Sequence, residues 1–230
     1  MFSGIDWQVI GDSLPFLIVD GLWFSVRLTI AATIGGMVLG TILALMRLSS
    51  NSAISSVAGA YVNLVRSIPL LMVIFWFFFL IPVAGQFITG SQRPIQVDPF
   101  WLSVVTFTLF EAAYFCEIVR SGISAIPKGQ LNAAQAVGMT YRQTMTIVVL
   151  PQAFRIMMPM ALTQMIILFQ DTSLVYVLSI IDFLGAAGVI ARRTGRLVEM
   201  YLFAAVVYFV ICFLLSTLVR RLERRLAIVR

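Results

Sequence analysis

Three carboxylates stand where carboxylates are costly. Glu111, Glu117 and Asp171 interrupt long apolar runs, and Gln164 and Gln170 accompany them. Ionisable groups in such runs persist where they face protein, pair with one another, or border a water-filled path. Gln164 and Asp171 are seven residues apart, which puts both near one face of a helix. If that face borders a path, its carboxylate is suited to attract an ammonium group and its amides to bind carboxylates. A structural reading of Asp171 stands beside it: locking its helix to a neighbour, or capping a break with Thr172 and Ser173. Glu117 and Arg120, at i and i+3, read as a structural ion pair. Glu111 either lines the path or pairs with Arg66. Nothing near these carboxylates marks an acid–base pair with a bond to cleave. The chain has no His, and Cys116 and Cys212 are isolated in apolar stretches, so zinc, haem and His-based sites have no ligands.

The elements that position these groups follow from composition. Of 230 residues, 60% are hydrophobic and 11% charged, against about a quarter charged in a soluble domain. The bilayer must be part of the solvent. A spanning helix needs about 20 apolar residues, and five stretches qualify: Leu28–Met46, Ser67–Gln92, Pro99–Ser121, Ile156–Ile181 and Met200–Val219. The fold class is therefore an all-α integral membrane protein, read as one domain over 1–230. The segment MFSGIDWQVIGDSLPF opens with Asp6 and Asp12 and no positive n-region, so the first apolar run is expected to remain as a span.

Five spans put the termini on opposite sides. The basic RRLERRLAIVR places the C-terminus in the cytoplasm and the N-terminus outside. Eleven basic residues then face the cytoplasm (Arg47, Arg66, Arg120, Lys128, Arg142, Arg155, Arg220, Arg221, Arg224, Arg225, Arg230) against five outside (Arg27, Arg93, Arg192, Arg193, Arg196). The RRTGR stretch runs against this rule and reads as a polar outer loop. Topology, with no aromatic-basic face, accounts for the charge of +6 without a nucleic-acid partner. Trp7, Trp101 and Tyr201 fit interfacial belts, and FWFFFL reads as lipid-facing or packing surface. Gly35, Gly36 and Gly40 offer a face for close helix packing, including with a second subunit.

Between spans three and four, residues 122–155 form the longest polar segment, on the cytoplasmic side. KGQLNAAQAVGMTY within it has helical rhythm, and Pro127 with Gly138–Met139–Thr140 predicts two short helices and a turn. Asn132–Ala133–Ala134 precede Gly138 by the spacing Asn-Ala-Ala, three residues, Gly, and then come nine residues, Val148, one residue, Leu150 and Pro151. This pattern resembles the cytoplasmic loop of permease subunits of bacterial ABC importers, Glu-Ala-Ala, three residues, Gly, nine residues, Ile, one residue, Leu-Pro. Asn132 replaces the family's Glu. The triplet Glu111–Ala112–Ala113 lacks the following Gly and lies inside a span, so it is not the motif. RSIPLLMVIFWF, EIVRSGISAIPKGQ, LPQAFRIMMP and FQDTSLVYVLS resemble segments of the polar amino-acid group, and among these the glutamate/aspartate importer permeases.

The resemblance implies the type I ABC importer permease fold in the bacterial inner membrane. It implies a second permease subunit, read as non-identical, two cytoplasmic ATPase subunits that hold ATP and Mg, and a periplasmic amino-acid-binding protein. Asn132, Ala133, Ala134, Gly138, Leu150 and Pro151 would couple to the ATPase; Gln164, Gln170, Asp171 and Glu111 would border the substrate path. The chain has no Gly-rich loop with Lys and Ser/Thr, so no cofactor is expected in it and it is not an enzyme. Transport of glutamine, histidine or arginine is the alternative. A stand-alone secondary transporter or channel would carry internal repeats, which are absent here.

Overall fold

A computed structural model describes residues 7–226. Asp6, Arg230 and the side chain of Trp7, invoked above, lie outside the described residues. Five helical stretches are long and apolar enough to cross a bilayer: Gln8–Arg47, Leu70–Thr89, Pro99–Ser124, Tyr141–Leu178 and Leu197–Leu226. No strand occurs among the described residues.

The first stretch is longer than the sequence suggested. Helix α1 (Trp7–Pro15), a π-helical segment (Phe16–Leu22) and α2 (Trp23–Arg47) run on as one rod. Its 40 residues extend roughly 60 Å, about twice the hydrocarbon thickness. Arg27 does not end the span as expected, because its guanidinium lies over the rings of Trp23 and Phe100, 5.9 and 5.0 Å from their centroids. Helix α3 (Ser52–Arg66) follows, capped by Asn51 Oδ1, which accepts from the N–H groups of Ala53 and Ile54. Next come α4 (Leu70–Thr89) and α5 (Pro99–Ser124), the latter capped by Asp98 with Pro99 in its first turn.

The core of the bundle is the pairing of α2 with α5. The glycines make it possible. A Cβ at Gly40 would lie 2.7 Å from Phe115 Cβ and 2.8 Å from the Ala112 carbonyl oxygen, and one at Gly35 would lie 2.7 Å from Thr108 Oγ1. The small-residue face is therefore spent on α5 of the same chain and is not open to a second subunit. Leu28, Ala32, Ile74, Phe107, Leu168 and Val175 close the centre between α2, α4, α5 and α8.

The segment after α5 forms α6 (Lys128–Ala136) and α7 (Tyr141–Gln143), then a π-helical stretch (Thr144–Val149) that runs into α8 (Leu150–Asp171). Two short helices with a turn were expected; the early start of the fourth span was not. Pro151 lacks the N–H that would continue the helical ladder, and it follows directly on the π-helical stretch that leads into α8. Beyond Asp171 the helix tightens to 3₁₀ geometry through Leu178. Helix α9 (Phe183–Thr194) and α10 (Leu197–Leu226) complete the chain.

Sequence reading missed α9. Its small buried face (Ala186, Ala187, Ala191) packs against Leu17 and Ile10 of the first rod. Gly21 lets the two approach, since a Cβ there would sit 2.8 Å from Ala186 Cβ. The RRTGR stretch is not a loop: Arg192 and Arg193 form the exposed last turn of α9, and Gly195 at φ +72° ends it.

Candidate functional site

Two features carry the residues singled out above. The first is the projecting α6. Gly138 has φ +81°, a conformation that costs Gly nothing and other residues dearly. Its N–H donates to the Gln135 carbonyl at 2.9 Å and that of Met139 to the Ala134 carbonyl at 3.1 Å, the two bonds of a Schellman stop. Thr140 then caps α7: its Oγ1 accepts from the Gln143 N–H, and Gln143 Oε1 accepts from the Thr140 N–H. Ala134 is buried while Asn132 and Ala133 face solvent, beside Val137 (77% exposed) and Tyr141 (71%).

The other side of this unit is tied down. Ile126, Val149 and Ala153 form a small core with Leu131, Met145 and Met157. The α6 unit is thus packed directly on the base of α8. Of the six motif residues, Asn132, Ala133, Ala134 and Gly138 sit together on the α6 unit; Leu150 and Pro151 belong to the start of α8, where both are exposed.

The second feature is a cavity of about 400 Å³ between α8, α5 and the α3–α4 corner. Arg66, Ser67, Pro69, Tyr114, Gln164 and Asp171 are on its wall. Gln164 and Asp171 do share one face, as their spacing required. The Asp171 carboxylate makes no hydrogen bond among the described residues and caps nothing, against the capping reading. Gln170, read with them, is exposed and is not part of this cavity's lining. Glu111 stands behind the wall, fully buried, accepting from Gln164 Nε2 at 3.0 Å through Oε2, while Oε1 has no partner among the described residues. It does not pair with Arg66.

Arg66 belongs to another cluster. Arg120 donates to Glu117 Oε2 through Nε and Nη2 at 3.0 and 2.7 Å, as its spacing predicted, and Arg47 Nη1 donates to Glu117 Oε1. Arg66 Nη1 is 3.9 Å from Glu117 Oε1, and its guanidinium lies 5.4 Å from the Tyr114 ring centroid. Sequence reasoning missed Arg66 and Tyr114 as cavity residues; the signal was Arg66 just before Pro69 at the foot of an uncharged span. Cys116 and Cys212 are free and buried, as expected. Trp101 is exposed, and Tyr201 lies against α9 near Gly188.

Residues 36–228 match the family described as binding-protein-dependent transport system inner membrane component. The chain belongs to that family. It is 50% identical to the glutamate/aspartate import permease protein GltK of Escherichia coli over 222 residues, 96% of this chain and 98% of that one. It is 36% identical to the L-cystine transport system permease protein TcyB of Bacillus subtilis, over 97% of this chain and 92% of TcyB. Among solved structures, an amino-acid ABC transporter crystallised with histidines superposes with a TM-score of 0.86 at 30% identity, covering 96% of this chain and 99% of that one. The MetNI methionine transporter, at 21% identity and a TM-score of 0.74 over 93% of this chain and 97% of its own, shares the fold. This chain is thus a transport component of the type I ABC permease fold, a class that works with ATPase and binding-protein partners.

Proposed function

We propose that this chain is the inner-membrane permease subunit of an ATP-driven importer of acidic amino acids, glutamate and aspartate. The observation that carries the coupling half of this reading is α6: a rigid, solvent-facing unit whose buried side, through Ala134 and Leu131, is anchored to the base of α8. Its α6 end is cytoplasmic, the C-terminus lies on the same side, and the N-terminus is periplasmic. Asn132, Ala133 and Gly138 seat in a groove of an ATPase subunit. Asn132 makes a neutral contact there in place of a charge-assisted one.

Two ATPase subunits hold ATP and Mg; this chain holds neither. A second, non-identical permease subunit completes the pathway, and a periplasmic binding protein delivers the amino acid. ATP binding draws the ATPases together, and α6 transmits that movement to α8 through the Ile126–Val149–Ala153 core. Because α8 carries Gln164 and Asp171, the cavity changes the side it faces as α8 moves. Asp171 receives the substrate ammonium. Half identity to GltK along nearly the whole chain supports the acidic substrate.

The test is uptake by proteoliposomes holding the full complex and its binding protein. ATP-dependent accumulation of glutamate, competed by aspartate and not by glutamine, histidine or arginine, is the expected result. Uptake without ATPase subunits, or competition by arginine alone, rejects the reading.

A further inference from the structure

The cavity wall holds two opposite charges that do not satisfy each other. Asp171 has no hydrogen-bond donor among the described residues. The Arg66 guanidinium, lining the same cavity, has no hydrogen-bond acceptor among them; its ion pair with Glu117 is long, 3.9 Å, beyond hydrogen-bond range. Glu117 cannot do more for it. Its Oε1 is taken by Arg47 and its Oε2 by both nitrogens of Arg120. Three guanidinium groups thus surround one carboxylate, and the surplus positive charge is least compensated at Arg66. The Tyr114 ring supports that guanidinium from one face without using its N–H donors.

We infer that Arg66 is the carboxylate-recognition residue of this cavity, holding the negative end of an amino acid whose ammonium group Asp171 receives. A guanidinium presents a planar fork that matches a carboxylate, and a cavity of about 400 Å³ falls within the range of small-ligand sites. Charges of both signs lining one cavity, neither holding a side-chain hydrogen bond among the described residues, complement a zwitterion better than a simple anion or cation. The inference rests on the path reading of Asp171, and the experiment separates the two.

The probe is radiolabelled glutamate binding to the purified complex in detergent, with glutamine and γ-aminobutyrate as competitors. Arg66→Gln weakens glutamate binding by about tenfold or more, the worth of a hydrogen bond between charged groups, and Arg66→Lys recovers part of it. Glutamine binding that falls with glutamate assigns Arg66 to the α-carboxylate, with γ-aminobutyrate unaffected. Glutamine binding that stays constant assigns it to the side-chain carboxylate. If Arg66→Gln leaves glutamate affinity unchanged while Asp171→Asn weakens it, the path stands and this inference falls. If neither substitution matters, or the wild-type complex binds no glutamate, the path reading fails and takes the inference with it. Loss of ATPase subunits on gel filtration, with unchanged affinity per intact complex, makes Arg66 structural and overturns the proposal.

Discussion

Gly138 separates two contributions that a single substitution would merge. Its φ of +81° imposes about 1–2 kcal/mol on a residue with a Cβ, and Asn bears that conformation better than Ala. Sterically the site is open, with nothing within 4 Å of a Cβ placed there. Within the isolated chain, then, Gly138→Ala and Gly138→Arg carry the same backbone strain and neither clashes. At about 1.4 kcal/mol per tenfold, that strain reduces the population of the α6–α7 turn by about tenfold relative to competing turns. Only Arg adds a long side chain to the face proposed to dock on the ATPase. ATP-dependent uptake in proteoliposomes, with ATPase retention followed by gel filtration, should rank wild type close to Gly138→Asn, then Gly138→Ala, then Gly138→Arg with no uptake and ATPase lost. Equal uptake by the Ala and Arg variants would refute docking through this face. A Gly138→Asn variant no better than Gly138→Ala would refute the backbone argument.

Gly40→Leu must separate α2 from α5, because two of the three atoms its Cβ would meet, the Ala112 oxygen at 2.8 Å and the Cys116 nitrogen at 2.9 Å, are backbone. Overpacking of this kind costs about 1–3 kcal/mol; the thermal midpoint of the purified protein should fall. Gly59→Leu, whose Cβ would meet only Arg47 Nε at 4.0 Å, should leave the midpoint unchanged, and equal shifts for the two variants count against the packing account. Asp182 caps α9 by accepting from the Leu184 and Gly185 N–H groups at 3.0 and 2.8 Å. Burial pushes its carboxyl up to about 6 against the lowering effect of those N–H groups. Asp182→Ala should destabilise α9 by about 1 kcal/mol, read as roughly fivefold faster hydrogen exchange of its amides. Asp182→Asn, which keeps an acceptor, should exchange close to wild type; equal exchange by the Ala variant and wild type would show that the cap contributes nothing.

Much of the architecture was legible because hydrophobic length is a property of the chain alone. The five spans, the two short helices around Gly138 and the Glu117–Arg120 pair all depend on spacing within a few turns. The failures have a common cause. Arg27 looked like a span boundary because its ring partner Phe100 is on another helix. The glycines of α2 looked available to a second subunit because nothing local says that Thr108, Ala112 and Phe115 lie against them. Helix α9 escaped notice because its Ala/Gly face is apolar only in the sense of being small; it becomes a helix surface when Gly21 and Leu17 pack on it.

The candidate site divides along the same line. Composition and spacing by themselves determined that the chain lives in a bilayer, that Asn132 to Gly138 form a polar helical unit ending in a turn, and that Gln164 and Asp171 share a face. Those are consequences of helical periodicity and of the cost of charge in hydrocarbon, which act on neighbours in sequence. Only the tertiary structure decided that Gln170 is not in the cavity's lining, that Glu111 is occupied by Gln164, and that Arg66, more than a hundred residues earlier in the chain, lines one cavity with Asp171. Which charges are left unpaired depends on how many acceptors each carboxylate can offer once the helices have packed. Pairing across helices is a property of the bundle, and no stretch of sequence contains it.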